Sequence, residues 1–335
     1  MGWNCNNFTQ GNEFFYTPSS IETIFHVISL QEIPINICCL YCIAKKTPQR
    51  MRNVKTNLLV MHLINAFLGF TMSCLIIPYP LFPIVGGCTL GFLTSIGTPV
   101  TVQAYFGITV TLLTGVSILT VFENRYFRIF YNPTWEKVRQ AYLVFNYLFA
   151  VSIFFYPIMK VPDQEYAKQE VLQEMPCILS IPGVVYDKLY VFSLNIYFTL
   201  LHAFLALSVI VGQIIVLVFI IFRNLIAVGM KSSQATYKIQ KRFMIAQSIQ
   251  FAITILIFAL PMFVFCYIVA LRDHNQRLNN GCIIILTLYG QISSVAMILL
   301  YPPYRNYVCS FFSKKIKPLQ SSLTNPQSRN KCTLY

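Results

Sequence analysis

From Thr56 to Phe122 the chain reads TNLLV MHLINAFLGF TMSCLIIPYP LFPIVGGCTL GFLTSIGTPV TVQAYFGITV TLLTGVSILT VF, 67 residues between Lys55 and Glu123 without one Asp, Glu, Lys or Arg. A bilayer core takes roughly 20 apolar residues per helical crossing, so this stretch holds two crossings. Four further charge-free spans, 140–159, 189–222, 243–271 and 278–304, hold one each. A seventh is expected at 21–44, although Glu22, His26 and Glu32 fall inside it. An isolated carboxylate at mid-bilayer costs about 2.5–3.5 kcal/mol on insertion scales. The expected fold is an all-α membrane protein, a seven-transmembrane helix bundle with crossings at about 21–44, 57–80, 96–122, 138–159, 190–222, 243–271 and 281–301. Residues 1–20 form an extracellular segment, 302–317 a juxtamembrane amphipathic helix and 318–335 a disordered cytosolic tail.

Composition agrees with one membrane domain. The 335 residues are 56% hydrophobic and 11% charged, whereas soluble domains carry roughly 25% charge. The net charge of +14 sorts by side instead of forming a nucleic-acid patch: 20 Lys and Arg fall in one alternating set of connections and tails and five in the other. The positive-inside rule then puts the amino terminus outside and the carboxyl terminus in the cytosol. The first 20 residues lack the order of a cleavable signal, so the first crossing serves as an uncleaved anchor. Asn7-Phe8-Thr9 is a glycosylation acceptor on the outer side. Cys309, on a stretch of three- and four-residue apolar steps after Arg305, is a palmitoylation candidate.

Of eleven cysteines, Cys5, Cys88, Cys177 and Cys282 fall outside or at the outer rim, and four cysteines allow three pairings. Cys88 with Cys177 is the first choice. Cys38, Cys39 and Cys42 sit in an apolar helix, where a metal or redox role lacks a hydrophilic setting. No metal and no cofactor is expected.

Amides and imidazoles inside the crossings, His62 and Asn65 among them, read mainly as interhelical hydrogen-bonding groups. The outer halves are where a ligand enters. There Gln103 and Phe106 share a face of the third crossing, Phe192, Asn195 and Thr199 of the fifth, and Phe263 and Tyr267 of the sixth, with Thr287 completing the ring. An apolar, aromatic site with a few amides and hydroxyls suits a small, mostly uncharged molecule. No acid stands in the outer half of the third, fifth, sixth or seventh crossing to pair with a cation.

At the inner end of the third crossing the first charges appear, in Phe122-Glu123-Asn124-Arg125-Tyr126. Read alone, such a pair is equally interface snorkelling. Other strings join it: Glu32-Ile-Pro34, Tyr41-Cys42-Ile43 with Lys46-Thr47-Pro48, Pro162-Asp163-Gln164, Met175-Pro176-Cys177, Gln240-Lys241-Arg242-Phe243, Leu278-Asn279-Asn280 and Pro303-Tyr304-Arg305. Through these the chain resembles the nematode serpentine receptors of class H, a chemosensory-type family, over nearly its whole length. The resemblance implies a seven-helix G-protein-coupled receptor at the plasma membrane, in sensory cilia by family habit, with a heterotrimeric G protein as partner. It implies a coupling switch of Glu123, Arg125 and Tyr126, the acid holding the Arg at rest, with Lys241 and Arg242 beginning a sixth helix that Pro261 bends. Tyr301-Pro302-Pro303-Tyr304 stands where rhodopsin-like receptors carry Asn-Pro-x-x-Tyr, so their switch does not transfer residue by residue. A transporter or channel is the competing reading, but no repeated half and few ionisable residues support it. No nucleophile–base or metal constellation suggests an enzyme.

Overall fold

The computed structural model describes residues 15–49, 52–228, 234–271 and 274–316. Its helices start and stop where local chemistry supplies partners for unpaired backbone groups. α1 (Pro18–Lys46) is capped by Thr17, which accepts from the Ser20 amide, has Pro18 in its first turn, and carries Lys45 and Lys46 at the negative end of its dipole. α2 (Arg52–Phe70) runs into a wider π turn, Thr71–Ile76, and ends at Ile77, a left-handed residue with φ 45°, and Pro78. A single turn, α3 (Phe92–Ser95), precedes α4 (Val100–Ile129). α5 (Pro133–Ser152) starts at Asn132, whose side chain accepts from the Thr134 and Trp135 amides. It breaks before α6 (Phe155–Met159), because the Pro157 ring clashes with the carbonyl four residues earlier. Then follow α7 (Gln164–Glu174), α8 (Ile196–Val228), α9 (Gln234–Leu271), α10 (Gln276–Thr287), α11 (Tyr289–Leu300) and α12 (Pro302–Ile316).

Among the described residues, six helices are long and apolar enough to cross a membrane, and α10 with α11, bent by 42°, makes a seventh when taken as one span. The helices overrun the bounds expected from hydropathy: α4 continues past Glu123 to Ile129, and α9 begins at Gln234, ahead of Lys241. Hydropathy registers only the bilayer, while backbone hydrogen bonding continues a helix into water. α4 is central, packing against α2, α5 and α8. The outward faces are apolar, with Leu30, Phe145, Phe204 and Leu256 all more than half exposed, as a lipid solvent requires.

The expected helix ends at 78–80 and 190–193 are strands instead. β1 (Pro78–Pro80), β2 (Val85–Thr89) and β3 (Tyr190–Ser193) form an antiparallel sheet in the order β1-β2-β3. Prolines at 78 and 80 are tolerated because β1 is an edge. Gly87 allows the close pairing, since a Cβ there would lie 2.2 Å from the Tyr79 carbonyl oxygen. The sheet-bearing end is named outer here, after the orientation expected from the loop charges. The sheet packs with α7 over a core that includes Phe25, Tyr79, Met175 and Val191. Gln164 from α7 meets β3 as a peptide group would: Nε2 donates to the Val191 carbonyl and Oε1 accepts from the Val191 amide, both at 3.0 Å. α10 ties the hairpin down, with Asn279 Nδ2 donating to Phe82 O at 2.9 Å and Gln276 Nε2 to Pro80 O at 3.0 Å.

Replacing Gln164 by Ala removes two hydrogen bonds to the backbone of the buried Val191 and is expected to cost about 1–3 kcal/mol locally. Hydrogen exchange at the Val191 amide will accelerate while the membrane helices keep their protection.

The cysteine expectation is corrected here. Cys88 is a free, buried thiol opposite Tyr79 in the β1–β2 ladder, and burial pushes it up to about 12. The Cys88–Cys177 bridge is therefore not made; of residue 177, only its backbone, in the turn Pro176–Ser180, is described. Asn7 and Cys5 lie outside the described residues.

Candidate functional site

Three regions carry chemistry. Near the outer end, Gln103 and Thr287 line a cavity of about 280 Å³ with Leu68, Met72, Gly107 and Phe258 among their neighbours. The Gln103 amide is engaged by the segment above it, donating to Thr98 O at 2.8 Å and accepting from Thr94 Oγ1 at 3.3 Å. Gly107 keeps space open, since a Cβ there would come within 3.0 Å of Ile76 Cδ1. A second cavity of about 260 Å³ lies deeper, between α4, α8 and α9, and shares Thr111 and Phe258 with the first. Neither is lined by a charged residue.

The rest of the expected ligand ring is not on these walls. Phe263 is 73% and Tyr267 56% exposed, so both face outward from α9. Asn195 caps α8, its Oδ1 accepting from the Phe198 amide at 3.1 Å. Phe192 packs on Tyr190 in the sheet, with ring centroids 4.9 Å apart. Phe106 sits edge-on to Phe67 at 5.9 Å, and Thr199 is half-buried without lining either cavity. The physical reason is plain for α9. Beyond Thr254 it is apolar on almost every side, so the sequence of its outer half does not declare which side meets the bundle. The side that does carries Phe251, Thr254, Ile255 and Phe258.

In mid-membrane a polar seam joins α1, α2 and α11. Ser294 Oγ donates to Asn36 Oδ1 at 2.7 Å, Asn36 Nδ2 donates to Glu32 Oε1 at 3.2 Å, and His62 Nε2 lies 3.1 Å from the Asn36 carbonyl. Asn65 and Gln250 both donate to Ser293 Oγ, at 2.8 and 3.1 Å. Glu32 is only 3% exposed. Its carboxylate fills a notch made by two glycines, because a Cβ at Gly69 would lie 1.9 Å and one at Gly290 2.5 Å from Glu32 Oε1.

At the inner end, Glu123 does not hold Arg125. Glu123 is fully buried and accepts from Arg139 Nε at 3.0 Å, Arg139 Nη2 at 2.8 Å and Trp135 Nε1 at 2.9 Å. Residues two apart on a helix point to different sides, so Glu123 faces α5 while Arg125 faces α9. The Arg125 guanidinium lies 3.6 Å from the Phe243 ring centroid, and its Nε has no hydrogen-bond partner among the described residues. The contact continues as an aromatic stack. Phe243 meets Tyr301 edge-on at 4.9 Å, Tyr301 stacks on Tyr304 at 5.6 Å, and Tyr304 Oη lies 2.8 Å from Thr47 Oγ1. Tyr126 packs edge-on against Trp135 at 6.0 Å, and Lys241 and Arg242 are exposed on α9.

A sequence profile of the serpentine-type seven-transmembrane GPCR chemoreceptors, Srh, matches residues 16–314. The chain belongs to the Srh family. Serpentine receptor class H-72 of Caenorhabditis elegans is 24% identical over 312 residues, covering 90% of this chain and 88% of that protein. Squid rhodopsin, with 11% identity, covers 96% of this chain and 94% of its own at a TM-score of 0.49. By the profile match and its apolar helices, this Srh chain is a multi-pass membrane protein of a GPCR-type chemoreceptor family. Several strings that carry the resemblance have structural work in it: Gln164 pairs with β3, Asn279 and Asn280 tie the cap, and Tyr304 closes the stack against Thr47. Phe243, the partner of Arg125, is not among the site residues expected from the sequence, although it closes the string Gln240-Lys241-Arg242-Phe243. An arginine without an acid on its own face was the available signal.

Proposed function

We propose that the chain is a G-protein-coupled chemosensory receptor of the plasma membrane, in sensory cilia by family resemblance. Its amino terminus is outside and its carboxyl terminus in the cytosol. The ligand is a small, mostly uncharged external molecule held in the upper chamber beside Gln103 and Thr287. Arg125, Tyr126, Lys241 and Arg242 form the inner surface that meets a heterotrimeric G protein. Asn7 is glycosylated outside and Cys309, half-buried on α12, is palmitoylated at the inner leaflet.

One observation carries this reading. The first charge-bearing turn of α4 places Arg125 against an aromatic ring of α9, the helix whose Phe258 lines the ligand chamber. A ligand that binds two packings of α9 with unequal affinity will shift that contact, whereas equal affinity would shift nothing. The proposed latch is therefore Arg125 on Phe243, with Glu123 anchoring α4 to α5.

The test is nucleotide exchange on G proteins in cells expressing the full chain, challenged with neutral and with cationic odorants. Neutral molecules should activate and Arg125→Ala should abolish the response at equal surface expression. An undiminished response in that variant would remove Arg125 from the coupling surface. Phe243→Leu should raise exchange without ligand, because a desolvated cation–π contact of about 2 kcal/mol corresponds to a population shift of up to roughly 30-fold. Basal exchange equal to the parent would refute the latch. Antibody staining of an amino-terminal tag on unpermeabilised cells checks the orientation.

A further inference from the structure

The outer side of the chamber is covered, and its flank is not. Pro78 of β1 lines the upper cavity, Gln103 pins the Thr94 and Thr98 segment over it, and α10 fastens the sheet hairpin through Asn279 and Gln276. By contrast, α8 meets α9 much more sparsely than it meets α4. The lower cavity lies in that gap. Phe204 and Ser208 of α8 and Ala259 of α9 are among its lining residues, with Thr111 and Gly115 of α4 behind them. Phe204 is 67% exposed on the lipid-facing surface. Thr111 and Phe258 line both cavities, so only these two side chains need stand between the gap and the upper chamber.

The walls also specify chemistry. Apart from the Gln103 amide, which is engaged by Thr94 and Thr98, they are hydrocarbon and hydroxyls, and each hydroxyl already gives its proton to its own helix: Thr111 to Gly107 O at 2.9 Å, Thr114 to Val110 O at 3.1 Å, Ser208 to Phe204 O at 2.7 Å, Thr254 to Gln250 O at 3.0 Å and Thr287 to Ile283 O at 2.9 Å. What these groups present to the cavity is oxygen lone pairs, which accept. Together the two cavities fall in the range of small-molecule sites, about 300–1,000 Å³. A permanently charged guest would lose hydration there without a counter-ion.

We propose that the gap between α8 and α9 is a lateral entrance, through which an uncharged, bilayer-dissolved molecule bearing a hydroxyl or other hydrogen-bond donor passes into the chamber. The proposal rests on reading the chamber as the receptor's ligand site. It replaces an approach from water by partition into lipid followed by sideways entry past Phe204 and Ala259. The donor of the guest then meets the threonine oxygens of α4 and α9.

The test uses the full chain in lipid nanodiscs and two photoreactive diazirine probes of equal chain length, one a primary alcohol and one a trimethylammonium salt. After illumination, labelled peptides are mapped by mass spectrometry. The alcohol should mark the peptides holding Thr111 and Phe258 at least about tenfold more than the ammonium probe does. Ala259→Trp, which plugs the gap, should cut chamber labelling about tenfold while lipid-facing labelling at Phe263 stays unchanged. Should Ala259→Trp misfold, Ala259→Cys is folded first, capped with a benzyl thiosulfonate and then uncapped with reductant, with the parent chain treated in parallel. Chamber labelling that ignores both plugs would overturn the entrance, as would equal labelling by the ammonium probe. Nucleotide exchange separates this from the receptor reading. Chamber labelling without any G-protein response leaves the entrance standing and sinks the receptor reading. A wild-type cellular response in the plugged variant does the reverse.

Discussion

Glu123→Ala is expected to destabilise the folded receptor by about 3–5 kcal/mol, because it strands the Arg139 guanidinium in a largely buried site. Glu123 is completely enclosed and the Arg139 side chain is 17% exposed, so solvent does little to screen the pair. Three donors converge on one carboxylate, and two of them form a fork from a single arginine, the strongest common geometry for such a contact. Arg139 also lies 4.0 Å from the Phe127 ring centroid, so losing the acid leaves it a weaker partner on α4. Glu123→Gln keeps the shape and can still accept from Trp135, and it should lose less than the alanine variant. The ordering to be found by thermal unfolding in detergent is parent, then Gln, then Ala. Arg139→Met paired with Glu123→Met should recover most of the loss, since an apolar pair of similar volume often replaces a buried ion pair without penalty. An alanine variant as stable as the parent would mean that the fork contributes nothing. The prediction separates from coupling: basal exchange should change little in Glu123→Gln, because Arg125 contacts Phe243 and not the acid.

That division of labour marks the limit of what the sequence makes legible. The crossings are readable because lipid forbids unpaired charge and unpaired backbone, and a 67-residue neutral run leaves few alternatives. The depth of Arg125 is readable for the same reason, as the first cation after that run. Its partner is not. An acid two residues away looks adjacent in a string and points elsewhere on a helix, and the true partner, Phe243, lies 118 positions along the chain. Helix rotation is the common cause of the other misses. Gln103 and Thr287 are brought together, but Phe263 and Tyr267 turn to lipid, because the outer half of α9, beyond Thr254, has almost no polar residue to orient it. The cap was hidden differently. Residues 78–89 are neutral and apolar enough to pass for membrane, while the prolines at 78, 80 and 83 with Gly86 and Gly87 are strand-edge and turn residues, and turn chemistry outranks hydropathy there.

Glu32 gives the second large effect. By hydropathy it counts only as a penalty on the first crossing, since insertion scales register depth and not direction. In the bundle it points inward and is received by glycines on two other helices. Gly69→Ala should therefore cost about 3–5 kcal/mol, combining overpacking with the loss of the carboxylate's hydrogen bond to Asn36. A flexible glutamate would normally swing away from one added methyl. Here the room is narrow, because Gly290 stands on the other side of the carboxylate from Gly69 and the side chain is almost wholly enclosed. The decisive measurement is a double-mutant cycle. Glu32→Ala alone leaves a cavity and should lower the unfolding temperature. Combined with Gly69→Ala, the new methyl fills part of that cavity, and the double variant should be more stable than Gly69→Ala by about 1–3 kcal/mol. Strict additivity would mean that the two residues do not meet. If they do meet, the carboxylate is retained as the shape that α2 and α11 close upon, and the spacing of α1, α2 and α11 is set by one acidic side chain seated between two glycines.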